Sequence, residues 1–175
     1  MKNLTRLRFV LLFLLVLCAA AVAKGKRTRH PLGFTFELPE KWRWEAADDG
    51  GVLLPQGVVV DPDKEDNPEV YSISGTHREL SSERQYISGV KANLKESGVE
   101  IDRGGDLENF SMPGLGGVIY TFDFVHPKHK VPYRIRVFAM TPKGRVMLLI
   151  ASGHRQRVEQ RDKPLREIAR SLDWK

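Results

Sequence analysis

Apolar and polar positions change rhythm several times along this chain, and each rhythm predicts an element. Phe34, Phe36 and Leu38 alternate with Thr35 and Glu37, which puts three apolar side chains on one face of a strand ended by Pro39. Glu40 and Lys41 turn the chain into Trp42-Arg43-Trp44, whose indoles share a strand face and read as core. Asp48-Asp49-Gly50-Gly51 is a turn signal. Short strands are predicted at 52–54, closed by Pro55, and at 58–60, before Asp61-Pro62. Residues 61–68 are charged, turn-rich and exposed, and strand character resumes over 70–75. A helix is predicted from about 83 to 97. Ser82 and Gln85 form a capping box, Tyr86, Ile87, Val90 and Leu94 recur at helical spacing, and Gly98 stops it.

Four strands follow, around 107–110, 118–125, 131–141 and 145–151. In the second, Val118, Tyr120, Phe122 and Phe124 face one way, opposite Thr121 and Asp123. In the third, Arg134 and Arg136 alternate against Ile135, Val137 and Ala139. Pro142-Lys143-Gly144 joins the third and fourth as a hairpin. Residues 146–151 are apolar on both faces, the mark of a central strand covered from both sides. A last helix, from about 156 to 172, gathers Leu165, Ile168, Ala169 and Leu172 on one side. Pro164 either kinks it or lies near its true start, with Asp162 as cap. Strands in runs, not alternating with helices, predict an α+β fold: a mostly antiparallel β-sheet flanked by helices.

The first 23 residues have a different texture. Lys2, Arg6 and Arg8 precede an unbroken apolar run over 9–17, and Ala21-Val22-Ala23 supplies the small-x-small pattern of a signal-peptidase site. The apolar stretch falls short of the ~20 residues that a spanning helix needs, which argues against an uncleaved anchor. Lipidation at Cys18 would require a small residue before it, and Leu17 stands there. The expected organisation is a signal peptide over 1–23, a short flexible lead over 24–30 (KGKRTRH), and a single domain over 31–175. The expected location is periplasmic or secreted, in a bacterium, after cleavage near Ala23, with no transmembrane span remaining.

Composition sharpens this picture. The formal charge of the whole chain is +6, and the basic residues of the signal account for half of it. The mature chain is therefore too mildly charged to point to nucleic acid. The single cysteine, Cys18, leaves with the signal, and with it any disulfide, thiol nucleophile or thiolate metal site. Stability must come from the apolar core, which about 150 residues supply.

The opening Pro31-Leu32-Gly33-Phe34-Thr35-Phe36-Glu37-Leu38-Pro39-Glu40-Lys41-Trp42 resembles the G-F-x-F-x-x-P-x-x-W start of PsbP-like domains. That superfamily includes the extrinsic subunit of the photosynthetic oxygen-evolving complex, DcrB-like envelope proteins and Ran-binding nuclear import factors. The closing Ile168-Ala169-Arg170-Ser171-Leu172-Asp173-Trp174 resembles its terminal helix and short last strand. The resemblance covers nearly all of 31–175. It implies an α/β/α sandwich around an antiparallel sheet, in a group whose members mostly bind or assist protein complexes. The matched motifs serve the fold and carry over no functional residue. The basic N-terminal arm of the photosynthetic members is reduced here to a few residues, which weighs against a photosystem role.

Candidate chemistry is sparse. The histidines are His30, His77, His126, His129 and His154. The His126-Pro127-Lys128-His129 pair sits in a predicted hairpin loop beside cationic Lys128 and Lys130, which would repel a metal ion. Asp61, Asp63, Glu65, Asp66 and Glu69 form an acidic loop, but Lys64 interrupts it and the central glycine of an EF-hand loop is missing. Ser152 lies in no nucleophile elbow. Gly104-Gly105 and Gly114-Leu115-Gly116-Gly117 precede no Lys-Ser/Thr and read as turns, not phosphate loops. Arg155, Arg157, Arg161, Lys163, Arg166 and Arg170 read as the exposed face of the last helix, diluted by Glu159, Asp162 and Glu167. No catalytic, cofactor-binding or metal residue is assigned, and no cofactor is expected. The expected function is a non-enzymatic envelope protein that binds, or assists assembly of, another protein or complex. The alternatives are a carrier of a small ligand or metal ion, and a hydrolase with a dispersed site.

Overall fold

The computed structural model describes residues 25–47, 50–58, 69–75, 83–112, 115–140 and 146–173. The predicted strand at 58–60 beyond Val58, the loop 61–68, the capping Ser82, the Pro142-Lys143-Gly144 connection, His77 and the segment 1–23 lie outside those residues.

Nine strands and three helices are described: β1 (Lys26–Arg29), β2 (Thr35–Leu38), β3 (Arg43–Ala47), β4 (Gly50–Leu54), β5 (Glu69–Gly75), α1 (Glu83–Glu96), β6 (Ile101–Met112), β7 (Leu115–Val125), β8 (Pro132–Met140), β9 (Met147–His154), α2 (Arg155–Gln160) and α3 (Asp162–Ser171). Strands β3-β4-β5-β9-β8-β7-β6 form one seven-stranded sheet, antiparallel at every pairing, and β1-β2 form a separate ribbon. The fold is α+β, as the order of apolar patterns predicts.

Two apolar layers sandwich the sheet. On one face Tyr71, Ile73, Phe138, Met140 and Leu149 pack against Phe34, Phe36 and Leu38 of the ribbon and Val158, Leu165 and Ile168 of the last helices. On the other, Phe122, Val137 and Leu148 pack against Ile87, with Tyr86, Val90 and Leu94 of α1 beside them. β9 is the middle strand of seven and contributes to both layers, which is why its apolar run does not alternate. α1 ends in a Schellman motif. Gly98 has φ 70°, its N–H donates to Lys95 O at 3.0 Å, and Val99 N–H donates to Leu94 O at 3.0 Å.

Several expectations are corrected. Residues 26–29 are not an unpaired lead: they pair with β2, and Arg27 bonds Thr35 Oγ1 and Asp173 at 2.9 Å each. His30, at 1% exposure, is a core residue. Such a strand gains its hold from backbone pairing and ion pairs, which leave no apolar signature. β6 begins six residues before the predicted strand and pairs with β7 throughout, with register shifts near Gly104 and Gly105. Gly104-Gly105 and Gly116-Gly117 therefore lie within strands, and Gly105 has φ 75° at the irregularity. The last helix breaks at Arg161 and does not kink at Pro164, which lies near the true start of α3, the other outcome predicted for it. Pro164 falls in the first turn of α3, where its missing N–H would have no intrahelical partner anyway. Asp162 is not the cap; Arg161 holds that position. The short last strand is a single bridge, Thr35 to Asp173, with N–H···O distances of 2.9 and 2.8 Å.

Candidate functional site

The polar cleft on the ribbon side of the sheet is built from three stretches of chain. Pro55–Val58 form a turn after β4, closed by Val58 N–H donating to Pro55 O at 3.1 Å, with Gly57 at φ 82°. Glu69 opens β5 on the same face as Tyr71 and Ile73, two and four residues on. Arg157 lies in α2, and Arg161 caps its C-terminus one turn on, with Gln160 just before it. Together Gln56, Gly57, Val58, Glu69, Arg157, Gln160 and Arg161 border about 440 Å³ of space.

Glu69 is 3% exposed, and the buried Tyr71 hydroxyl donates to its Oε2 at 2.6 Å. Burial pushes the Tyr71 hydroxyl far above its ordinary range, the bond to Glu69 and the carboxylate's charge push the same way, and the Arg161 guanidinium pulls against them. Tyr71 therefore stays a protonated donor at any physiological pH, and the Trp42 ring lies 5.5 Å from its own. The arrangement presents guanidinium and amide donors around a buried, already engaged carboxylate.

Beside the cleft, α2 and α3 are clamped to the sheet by ions. Arg134 on β8 grips Asp123 on β7 with two bonds of 2.6 and 2.7 Å, across a pair set directly opposite in the ladder. Its Nη1 donates to Glu159 of α2 at 2.8 Å, and Arg155 reaches the same carboxylate at 3.4 Å. Next along β8, Arg136 bonds Asp162 of α3 and lies 3.3 Å from Glu108 of β6. Arg166 of α3 holds Glu108 with two bonds of 2.7 Å and Asp162 with a third of 2.7 Å. The Arg166 hydrogen bonds keep the Glu108 carboxyl below the usual carboxylate range.

This sheet, with helices on both faces and a terminal bridge, has solved counterparts. The Ran-binding protein Mog1p of Saccharomyces cerevisiae superposes with a TM-score of 0.51 at 12% identity, covering 85% of this chain and 94% of that one. The two chains share a fold. Cyanobacterial PsbP (CyanoP) from Synechocystis sp. PCC 6803 gives a TM-score of 0.48 at 15% identity, over 89% of this chain and 95% of that one. A protein from Bacteroides thetaiotaomicron gives 0.49 at 13% identity; 87% of this chain is covered, but it spans only 49% of that protein's length. No family model and no curated protein matches the sequence.

Within this frame the basic cluster of the last helices divides. Arg155 and Arg166 serve the ion clamp, Arg170 lies 5.5 Å over the Phe110 ring, and Arg157 and Arg161 border the cleft. Arg134 and Arg136, each 8% exposed, are buried under α2 and α3, not turned to solvent. Among the described residues the histidines do not gather at one site. His30 stacks on Phe34 at 4.0 Å and its Nδ1 accepts the Leu32 N–H at 3.1 Å. His126 Nδ1 accepts the Lys128 and His129 amides, each at 3.3 Å, and its ring lies 4.7 Å from that of His129. His154 ends β9. Among the described residues no group of three or more metal-ligating side chains occurs. Ser152 lies in β9, paired with Val70 and Ile135. Of the acidic loop, Glu69 belongs to the cleft, and Asp61, Asp63, Glu65 and Asp66 lie outside the described residues. Trp42 and Trp44 pack partly buried on the core, as their alternation predicts.

Glu69, Tyr71, Asp123 and Arg134 do not stand out in the sequence as a functional set. The Asp123–Arg134 pair had a signal: opposite charges on the inner positions of two successive predicted strands. Glu69 had none, because an acid at a strand start reads as solvent-facing.

Proposed function

We propose that this chain is an exported, non-enzymatic protein of a bacterial cell envelope that binds, or assists the assembly of, another protein or complex. The observation that carries the reading is the cleft, an open arginine- and amide-bordered surface on a fold shared with a Ran-binding protein. Val58 is its one apolar lining residue among those described, and that residue is itself buried. A freely diffusing small ligand draws affinity from apolar enclosure, whereas a polar cleft suits a group delivered on a larger interface. The three-zone N-terminus supports export.

Crosslinking in the intact envelope of the producing cell, followed by identification of what co-purifies, tests the reading. A stoichiometric protein partner is expected. Recovery of none, together with turnover of generic esters or phosphates by the purified protein, overturns it. Intact mass of the exported protein checks the address: a chain starting at Lys24 is expected, and one retaining residues 1–23 counts against it.

A further inference from the structure

We propose that the cleft between the Pro55–Val58 turn and α2 receives a carboxylate side chain from an acidic segment of the partner protein. This rests on the reading of the chain as a protein-binding module and names the chemistry by which it binds.

The charge around the cleft selects the ligand. Among the described residues Arg157 and Arg161 contribute two positive charges and Glu69 one negative, so that lining carries one net positive charge. That matches a single carboxylate better than a phosphate dianion, which would also face the buried Glu69. Guanidinium groups one helical turn apart offer forked donors to a carboxylate, and the Gln56 and Gln160 amides border the same space. Approach is open at the turn, since a Cβ built on Gly57 would meet no atom within 4 Å.

The other arginines of this face show the contrast. Arg134, Arg136, Arg155 and Arg166 are engaged by acids of their own chain, at Asp123, Glu159, Asp162 and Glu108. Arg157 and Arg161 border the cleft without an acid of their own chain among the described ion pairs; Arg157 is exposed, and Arg161 is half-buried and also reaches the Tyr71 hydroxyl. Glu69, held by the Tyr71 hydroxyl, keeps the excess positive charge small enough for a monovalent partner group. The sparse apolar lining argues that the carboxylate arrives tethered, with the surrounding interface excluding water.

The test is an amide-resonance titration of the protein without its signal segment, using three probes at low salt. These are a capped peptide of alternating aspartate and glycine, its lysine counterpart, and inorganic phosphate. The aspartate peptide is expected to shift the amides of Gly57, Arg157 and Arg161, and added salt should weaken it. Arg157→Gln should weaken it about tenfold while the spectrum stays dispersed. Arg157→Glu should move the preference to the lysine peptide. No shift at these amides, or an equal response to the lysine peptide, overturns the proposal. An equal response to phosphate also overturns it, in favour of a small-anion site. A partner crosslinked only through other surfaces sinks this inference and leaves the binding role standing.

Discussion

A Cβ built on Gly51 would stand 2.5 Å from both Trp44 Cζ2 and Glu45 O, so Trp44 can cover the β4 end of the core only because residue 51 has no side chain. Gly51→Ala is expected to destabilise the protein by about 2 kcal/mol, read as a lower urea midpoint with unchanged slope. His30 makes a pH-dependent contribution. Burial holds its ring below the usual histidine range, while its Nε2 lies 3.4 Å from the Ile73 carbonyl. The unfolded chain takes up this proton near pH 6.5 and the folded chain only lower. Stability from this group is therefore complete above about pH 6.5 and falls as the pH drops towards the folded-state value, by up to about 1.4 kcal/mol per pH unit. Denaturation between pH 7 and 5 should show that slope flattened in His30→Gln; an unchanged slope would place the effect elsewhere.

The ion clamp joins α2 and α3 to β6, β7 and β8, and its energetics follow from burial. The Arg134 and Asp123 side chains are only 10% and 6% exposed, so removing one partner strands a buried charge. Arg134→Met alone should cost about 3 to 5 kcal/mol, and Asp123→Leu with Arg134→Met should recover most of it. A double-mutant cycle by urea denaturation measures the coupling; additive losses would mean that the pair does not act as a unit. The same elements show what periodicity reveals. β2, β7 and α1 were legible because each buries apolar side chains at a fixed period, and β9 because its unbroken apolar run marks a strand covered on both faces. β1 and the first half of β6 were not, since their places are set by backbone ladders, glycine-tolerated irregularities and ion pairs. Alternation put Arg134 and Arg136 on one face of β8, but what covers that face is legible only once the helices that supply their counter-ions are placed over it. The cleft was illegible for a related reason: its borders come from a turn, a strand start and a helix far apart in sequence.

Across the whole molecule, apolar mass is concentrated on β5, β9 and β8, with helices over both faces, while β3 and β6 form the edges. Amide exchange should be slowest in β9 and β8 and fastest in β3, whose Arg43, Glu45, Ala46 and Ala47 are exposed. Peptide-resolved exchange by mass spectrometry checks this ranking, and a β9 as labile as β3 would contradict a core centred on the middle strand. The bridge from Thr35 to Asp173, reinforced by Arg27, has a topological consequence. Residues near the two extremities of the described fold meet side by side, so the path of the chain nearly closes into a loop. A circularly permuted chain, joined across that junction and reopened in the 126–131 connection, would keep every strand pairing of the sheet. Cargo fused at either extremity would emerge from one pole of the molecule.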